Sequence, residues 1–493
     1  MKRALILSSV VVAGVVVLTA CEKSEPERPE ASREGTLPPP PPPASSSGGP
    51  AEGGCGFPST PSVFTLPVVP GVPYGSFTQL DATIACTNGR PFAYQVRDMT
   101  GDQQPDLVAT SACDDTTIGP LAWRVYENIG TGFAAEPIRF TLPLPRLPEC
   151  AKTELVDLDG DLKPDLVTTS LCTDASVGTT QWLVNRNNGA GFDPITSFAL
   201  PTGLTPGSFT ALSAPAPECP AGRPAFRALD IDGDRKLDLV VTQVCNDTAV
   251  GTSEWRVYKG GAGGFASTPS RFTLPTTPAP TLLMYTSPTS ADAACDASAL
   301  SRTYRLVDLD GDFAPEMVVT SLCNDTTVGT TRWLAYENVG TGFEGPIALD
   351  LPVVPGVRGA FTDLAGPAAC ESGKPGFEVL DVTGDLRRDL LVTRSCLDRT
   401  SGVTRWLLHR HGDEKSGLSL ARDAVTFSLP PALGGTSSEP IGLDAERRCT
   451  GTRRPRFTST YLVNRRLDLV VTEACQDNTV GATRWLLYEA GCR

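Results

Sequence analysis

Three observations predict an all-β fold, a β-propeller of six four-stranded blades: six copies of one repeat, four strand-like segments per copy, and chain ends that complement each other. Tryptophan occurs six times, at 123, 182, 255, 333, 406 and 485, once per unit. One phrase recurs around each, as in Cys323-NDTTVGTTR-Trp333-LAYENVGTGF. In the third unit the segments are AFRALD (225–230), LDLVVTQV (237–244), SEWRVYK (253–259) and SRFTLP (270–275). They are short and rich in β-branched and aromatic residues. A stacked solenoid is the competing architecture, and the chain ends argue against it. GCGFPSTPSVFTLP (54–67) matches GTGFAAEPIRFTLP (130–143), the end of unit one, whereas WLLYEAGC (485–492) stops at the same turn without a last strand. The N-terminal strand is therefore expected to complete the last blade and close the ring.

Before the repeats, Lys2 and Arg3 precede an apolar run from Ala4 to Leu18 that ends LTAC at Cys21. A charged start, a short apolar core and small residues before a cleavage point describe a secretory signal. The run is too short to read as a spanning helix. LTAC resembles a bacterial lipobox, which implies a signal peptide over 1–20 and lipidation of Cys21. Residues 21–54 carry six consecutive prolines (Pro38 to Pro43) and then Ser and Gly, a composition that forms a tether rather than a core. The repeats occupy 55–493. The expected location is exported and lipid-anchored, at the outer membrane or cell surface, with the membrane touched through the lipid alone.

Setting Cys21 aside leaves fourteen cysteines of fifteen, an even number in an exported chain, so disulfides are expected. Each unit has one cysteine before its first strand and one after its second. The expected pairs are Cys86–Cys113, Cys150–Cys172, Cys219–Cys245, Cys295–Cys323, Cys370–Cys396 and Cys449–Cys475. Cys55–Cys492 remains, at the two chain ends. No CxxC spacing supports a metal–thiolate site.

Between the first two strands of five units runs an acidic loop. The ligand candidates, at loop positions one, three, five and nine, are Asp98, Thr100, Asp102 and Asp106; Asp157, Asp159, Asp161 and Asp165; Asp230, Asp232, Asp234 and Asp238; Asp308, Asp310, Asp312 and Glu316; and Asp381, Thr383, Asp385 and Asp389. Unit six, TYLVNRRLD, keeps only Asn464 and Asp468 and is expected to be metal-free. Hard oxygen donors at this spacing, with a carbonyl near position seven, suit Ca2+, up to five structural ions. Mg2+ demands tighter geometry. An EF-hand fails because the neighbours are strands and position twelve is Thr168 or Val241 rather than Glu. Solvated turns and catalytic carboxylates are the alternatives; a catalytic pair must flank a substrate, which acids repeated once per hairpin turn do not.

These loops, the LVVT strands after them and the GxGF turns resemble the FG-GAP/VCBS repeats of the integrin α-subunit propeller, over about 55–492. The resemblance implies surface adhesion, or recognition of a glycan or protein, and in some members a propeller joined to an enzyme. Enzyme motifs are absent: no GxSxG, HExxH or P-loop pattern occurs, and His409 and His411 fall where unit four has Tyr336 and Asn338. Two histidines, no basic stripe and a net charge of −14 argue against nucleic acid. The expected function is a non-enzymatic, calcium-stabilised, disulfide-stapled surface lipoprotein binding a protein or glycan on the face opposite the calcium loops. A lyase-like polysaccharide enzyme on a propeller, or a periplasmic or outer-membrane scaffold protein, is the alternative. The longest links, 201–219, 276–295 and 430–449, belong to the presumptive binding face.

Overall fold

A computed structural model describes residues 54–86, 89–143, 148–203, 205, 207–276, 285, 302–322, 324–412, 418–433, 440–446 and 455–492. The fold is an all-β propeller. In unit three the strands are Ala225–Leu229, Asp238–Gln243, Glu254–Tyr258 and Ser270–Thr273, joined as an antiparallel meander. The second strand is buried along almost its whole length (Asp238 to Thr242), because both of its faces meet neighbouring sheets.

The expected uniformity of four strands per blade is not what forms. The described strands make sheets of seven, six, five, four, four and five strands. Five blades are each built around one continuous run of chain, and a further sheet joins Ser62–Thr65 to Arg456–Thr460, Asp468–Glu473 and Arg484–Glu489 from the other end of the chain. The extra strands have two sources. Links fold back onto the open edge of a first strand, as Asp81–Ala85, Ser213–Ala214 and Ala365–Gly366 do; an uncovered edge leaves backbone groups unpaired. GxGF turns also reach the outermost strand of the preceding blade in parallel, as Gly264 does at Ala199 and Gly56 at Ser428.

That reach explains the GxGF glycines. A Cβ on Gly132 would lie 1.8 Å from Thr65 Oγ1, and one on Gly342 1.8 Å from Thr273 Oγ1. The phenylalanine that follows fills the seam. Trp255 stacks on Phe272 of its own blade at 6.1 Å and meets Phe343 of the next unit edge-on at 5.8 Å. Trp182 with Phe198 and Phe265, and Trp406 with Phe427 and Phe57, repeat the trio. Trp485 does so across the chain ends, with Phe64 and Phe133. Each of these indoles, and that of Trp333, is fully buried and donates its N–H to a carbonyl of the following link: Phe209, Tyr285, Phe361, Ile441 and Phe77. The tryptophans are seam residues, and only Trp123 is partly exposed.

Disulfides join Cys55–Cys492, Cys86–Cys113, Cys150–Cys172, Cys219–Cys245 and Cys370–Cys396. Cys21, and the pairs Cys295–Cys323 and Cys449–Cys475, involve positions outside the described residues. Such bonds place the chain in an oxidising, exported setting. Among the described residues, no helix is long and apolar enough to cross a membrane.

Candidate metal centre

Each acidic loop caps the hairpin of first and second strands, and in units one, two, three and five it lies at the end opposite that hairpin's disulfide. Position one organises the backbone. Asp157 accepts the N–H of Gly160 at 2.8 Å and of Leu162 at 2.8 Å, and Asp98, Asp230, Asp308 and Asp381 repeat both bonds. The turn this imposes is left-handed at position four, always glycine, and again at position six, where Gln103, Leu162, Arg235, Phe313 and Leu386 have φ between 67° and 76°. A left-handed non-glycine residue costs about 1–2 kcal/mol, and here it recurs five times. The sequence analysis missed position six, because Gln, Leu, Arg and Phe share no side-chain signal.

Position nine anchors the loop to the third strand. Asp106 accepts from the N–H of Met99 and Asn128, Asp165 from Asn187, Asp238 from Gly260 and Asp389 from His411. The asparagine five residues after tryptophan extends the linkage to the preceding unit: Asn187 Nδ2 donates to Met99 O at 2.9 Å, and Asn338 Nδ2 to Ile231 O at 2.6 Å. Adjacent loops also touch at their glycines. A Cβ on Gly160 would meet Arg235 O at 2.8 Å, and one on Gly311 would meet Leu386 Cβ at 2.8 Å. The loops thus run as neighbours around one face.

Close acids raise one another's protonation. Burial, opposed by the backbone N–H bonds and reinforced by neighbouring carboxylates, pushes Asp157, Asp230 and Asp308 up to about 6. For the same reasons Asp106, Asp238 and Asp389 rise to about 7 and Glu316 to about 9. Asp98, Asp165, Asp312 and Asp381 shift upward too, chiefly by burial.

The structure brings three carboxylate sets together, with ligand atoms within 4.8 Å of one another: Asp157, Asp159 and Asp161; Asp230, Asp232 and Asp234; Asp308, Asp310 and Glu316. Outside these sets lie Asp165, whose Oδ2 pairs with Arg186, Asp238, whose Oδ2 is buried without a hydrogen-bond partner, and Asp312 in unit four. The loops with Thr100 and Thr383 form no such three-carboxylate set among the described residues. Asp159 Oδ1 and Thr383 Oγ1 are buried without a hydrogen-bond partner, so the loops hold donor capacity that their own backbone does not use. Oxygen donors alone, close-set and partly unsatisfied, fit a hard cation.

The histidines sit elsewhere in function. His409 and His411 are 4% and 6% exposed, and His409 Nδ1 is 3.0 Å from Ala421 O, inside the third-to-fourth strand pairing. Burial holds the His409 imidazole below its usual value. A further repeated device occupies the second-to-third turns. Asp325, Asp398 and Asp477 each accept from a threonine two residues on and pair with Arg332, Arg405 and Arg484. The recurrent D-x-T and R-W of the repeat phrase were its sequence signal.

These features define a β-propeller with acidic hairpin loops. No protein-family model matches the chain, and no curated protein does. Solved structures similar to it include a Tc holotoxin pore of Photorhabdus luminescens (17% identity, TM-score 0.41), with 80% of this chain and 14% of that one covered. An Agrocybe aegerita lectin specific for non-reducing terminal N-acetylglucosamine (15%, TM-score 0.33) matches over 80% of this chain and 82% of its own. The Dos1 propeller (10%, TM-score 0.28) matches over 88% and 93%.

Proposed function

We propose that the protein is an exported binding module: a propeller stabilised by up to five Ca2+ ions and by its disulfides, which holds a protein or glycan ligand on the face opposite the calcium loops and performs no catalysis. In this reading six units close into one ring, the pairing of Ser62–Thr65 with Arg484–Glu489 being the closure. Cys21 carries the lipid that anchors the tether at the outer membrane or cell surface. FG-GAP/VCBS kinship accounts for the acidic loops and the GxGF turns.

The observation that carries the reading is the repeated commitment of the acids. Position one commits both carboxylate oxygens to backbone N–H groups in all five loops and position nine commits at least one, which makes the loop a scaffold part rather than a pair of reacting groups. A hard cation would rest on the remaining oxygen lone pairs of Asp157, Asp159 and Asp161, of Asp230, Asp232 and Asp234, and of Asp308, Asp310 and Glu316. It would supply positive charge where burial opposes carboxylate ionisation.

The test is a glycan array probed with the purified chain, with and without chelator, followed by product analysis on every glycan bound. Binding without turnover is expected, weakened by chelation. Calcium-dependent release of unsaturated oligosaccharides would establish a lyase instead.

A further inference from the structure

The acidic loops sort into two kinds through residues outside the acid pattern. At loop position seven and four residues after tryptophan, unit two has Lys163 and Arg186, unit three Lys236 and Lys259, and unit five Arg387 and Arg410. Unit one has Gln104 and Glu127 there, and unit four Ala314 and Glu337. The two positions change together, both basic or neither.

Where they are basic, the charges reach the loop acids. Arg186 Nη1 pairs with Asp165 and lies 3.1 Å from Asp159 Oδ2, so one guanidinium nitrogen spans positions nine and three. Lys163 Nζ is 3.2 Å from Asp161 Oδ2. In unit three Lys259 pairs with Asp232, and Lys236 Nζ is 3.2 Å from Asp234 Oδ2. The chain's own cations thus lie against the oxygens that a divalent ion would use. Among the described residues no ion pair reaches the loop acids of units one and four; Arg388 of unit five exerts only a weaker, longer-range pull on Asp308. Units one and five, where Thr100 and Thr383 replace an acid, belong to neither kind, and in unit five Arg387 donates to Gly412 O at 3.1 Å.

We propose that Arg186 and Lys259 are tethered counter-ions that neutralise the loops 157–165 and 230–238 from within, and that calcium dependence is concentrated in the loop 308–316, the three-carboxylate set that no described ion pair reaches. The proposal rests on the calcium reading above and deepens it. A side-chain cation already seated on these oxygens must be displaced before a divalent ion can take them, and displacement exposes the ion to the repulsion of the freed charge. Glu337 occupies the equivalent repeat position in unit four, so that loop has an acid where units two and three have a cation.

Calcium titration of the full chain, with ions counted by native mass spectrometry and affinities read by calorimetry, tests this in both directions. The unaltered chain should hold about one ion tightly. Arg186→Glu and Lys259→Glu should each gain an ion, with affinity at the altered loop rising about tenfold or more. Glu337→Arg should lose one. Arg186→Gln and Lys259→Gln, checked by circular dichroism, serve where the reversed charge prevents folding and should move in the same direction. Five ions of like affinity in the unaltered chain, or unchanged counts in all variants, would overturn the counter-ion assignment while leaving calcium binding intact. An absence of calcium from every protein would remove the calcium reading and this proposal together.

Discussion

Cutting the bond between the chain ends should cost more than cutting any staple within a blade. Cys55 and Cys492 are 437 residues apart, whereas the described blade disulfides span 22 to 27. In the chain-entropy model a closed loop of the first size contributes about 6 kcal/mol and loops of the second about 3.5 kcal/mol. The difference follows from the logarithm of the length ratio alone, about 2.5 kcal/mol. Blade staples nested inside the long loop shorten its free path and trim that difference by a few tenths. Comparing Cys55→Ser/Cys492→Ser with Cys86→Ser/Cys113→Ser cancels most costs common to removing any disulfide. The assay is urea unfolding followed by tryptophan fluorescence in oxidising buffer, with Trp485 buried in the closing seam as a reporter. Equal losses in the two variants would refute the reasoning. They would mean that the strand pairing of Ser62–Thr65 with Arg484–Glu489 holds the ends together in the unfolded reference as well, or that native strain offsets the entropy.

Gly342→Ala should destabilise by about 1–3 kcal/mol, read by thermal melting, because its Cβ meets Thr273 Oγ1 at 1.8 Å and the less movable Thr273 O at 2.7 Å; Gly263→Ala, at an exposed turn where an added Cβ meets nothing within 4 Å, gives the control for simple glycine replacement. Trp333→Phe should cost at least about 1–3 kcal/mol in denaturant unfolding, since it leaves the buried Phe361 carbonyl without its 2.7 Å donor. Asp468 is buried, and its folded pKa lies well above the ordinary carboxylate value, by burial first. Its contribution to stability is therefore fully present below the unfolded pKa of about 3.9 and is lost as pH rises through the folded value. Asp468→Asn should flatten that part of the decline, so that melting temperatures at pH 5 and pH 8 differ less than in the parent.

The repeat phrase pointed to the main strands, the acidic loops and the partners of the five described disulfides, because each is a residue type that recurs at fixed spacing. It did not reveal the edge strands Asp81–Ala85, Ser213–Ala214 and Ala365–Gly366. These have no common pattern, and they pair because a first strand presents an open edge. The left-handed residue at position six was equally hidden: the N–H of Leu162 or Phe313 is drawn to the aspartate at position one, and the side chain contributes nothing to the choice. Position nine was read as a ligand; in four loops one of its oxygens also accepts the N–H two residues past the third strand. That role depends on a partner some 22 residues away, as with Asp165 and Asn187, which spacing within the loop does not encode.

Unit six shows why acidic loops are dispensable in one place. Its loop keeps Asp468, whose carboxylate accepts the N–H of Leu462 and Val463, and loses the acids at positions one and three. Asn464 turns instead to Glu489 at 3.2 Å. Yet this unit alone has a disulfide at the same end of its hairpins, Cys55–Cys492, set in the turn that the other units leave uncrosslinked. The two ends meet there as opposed residues of an antiparallel pair, Cys55 against Cys492 and Gly56 against Gly491. A seam made from the first and last residues of a ring has no chain continuity to hold it, and an electrostatic clamp weakens with salt and with protonation. A covalent bond does neither. In the proposed ring, the closing unit would carry by disulfide the constraint that its neighbours place on calcium-loaded loops.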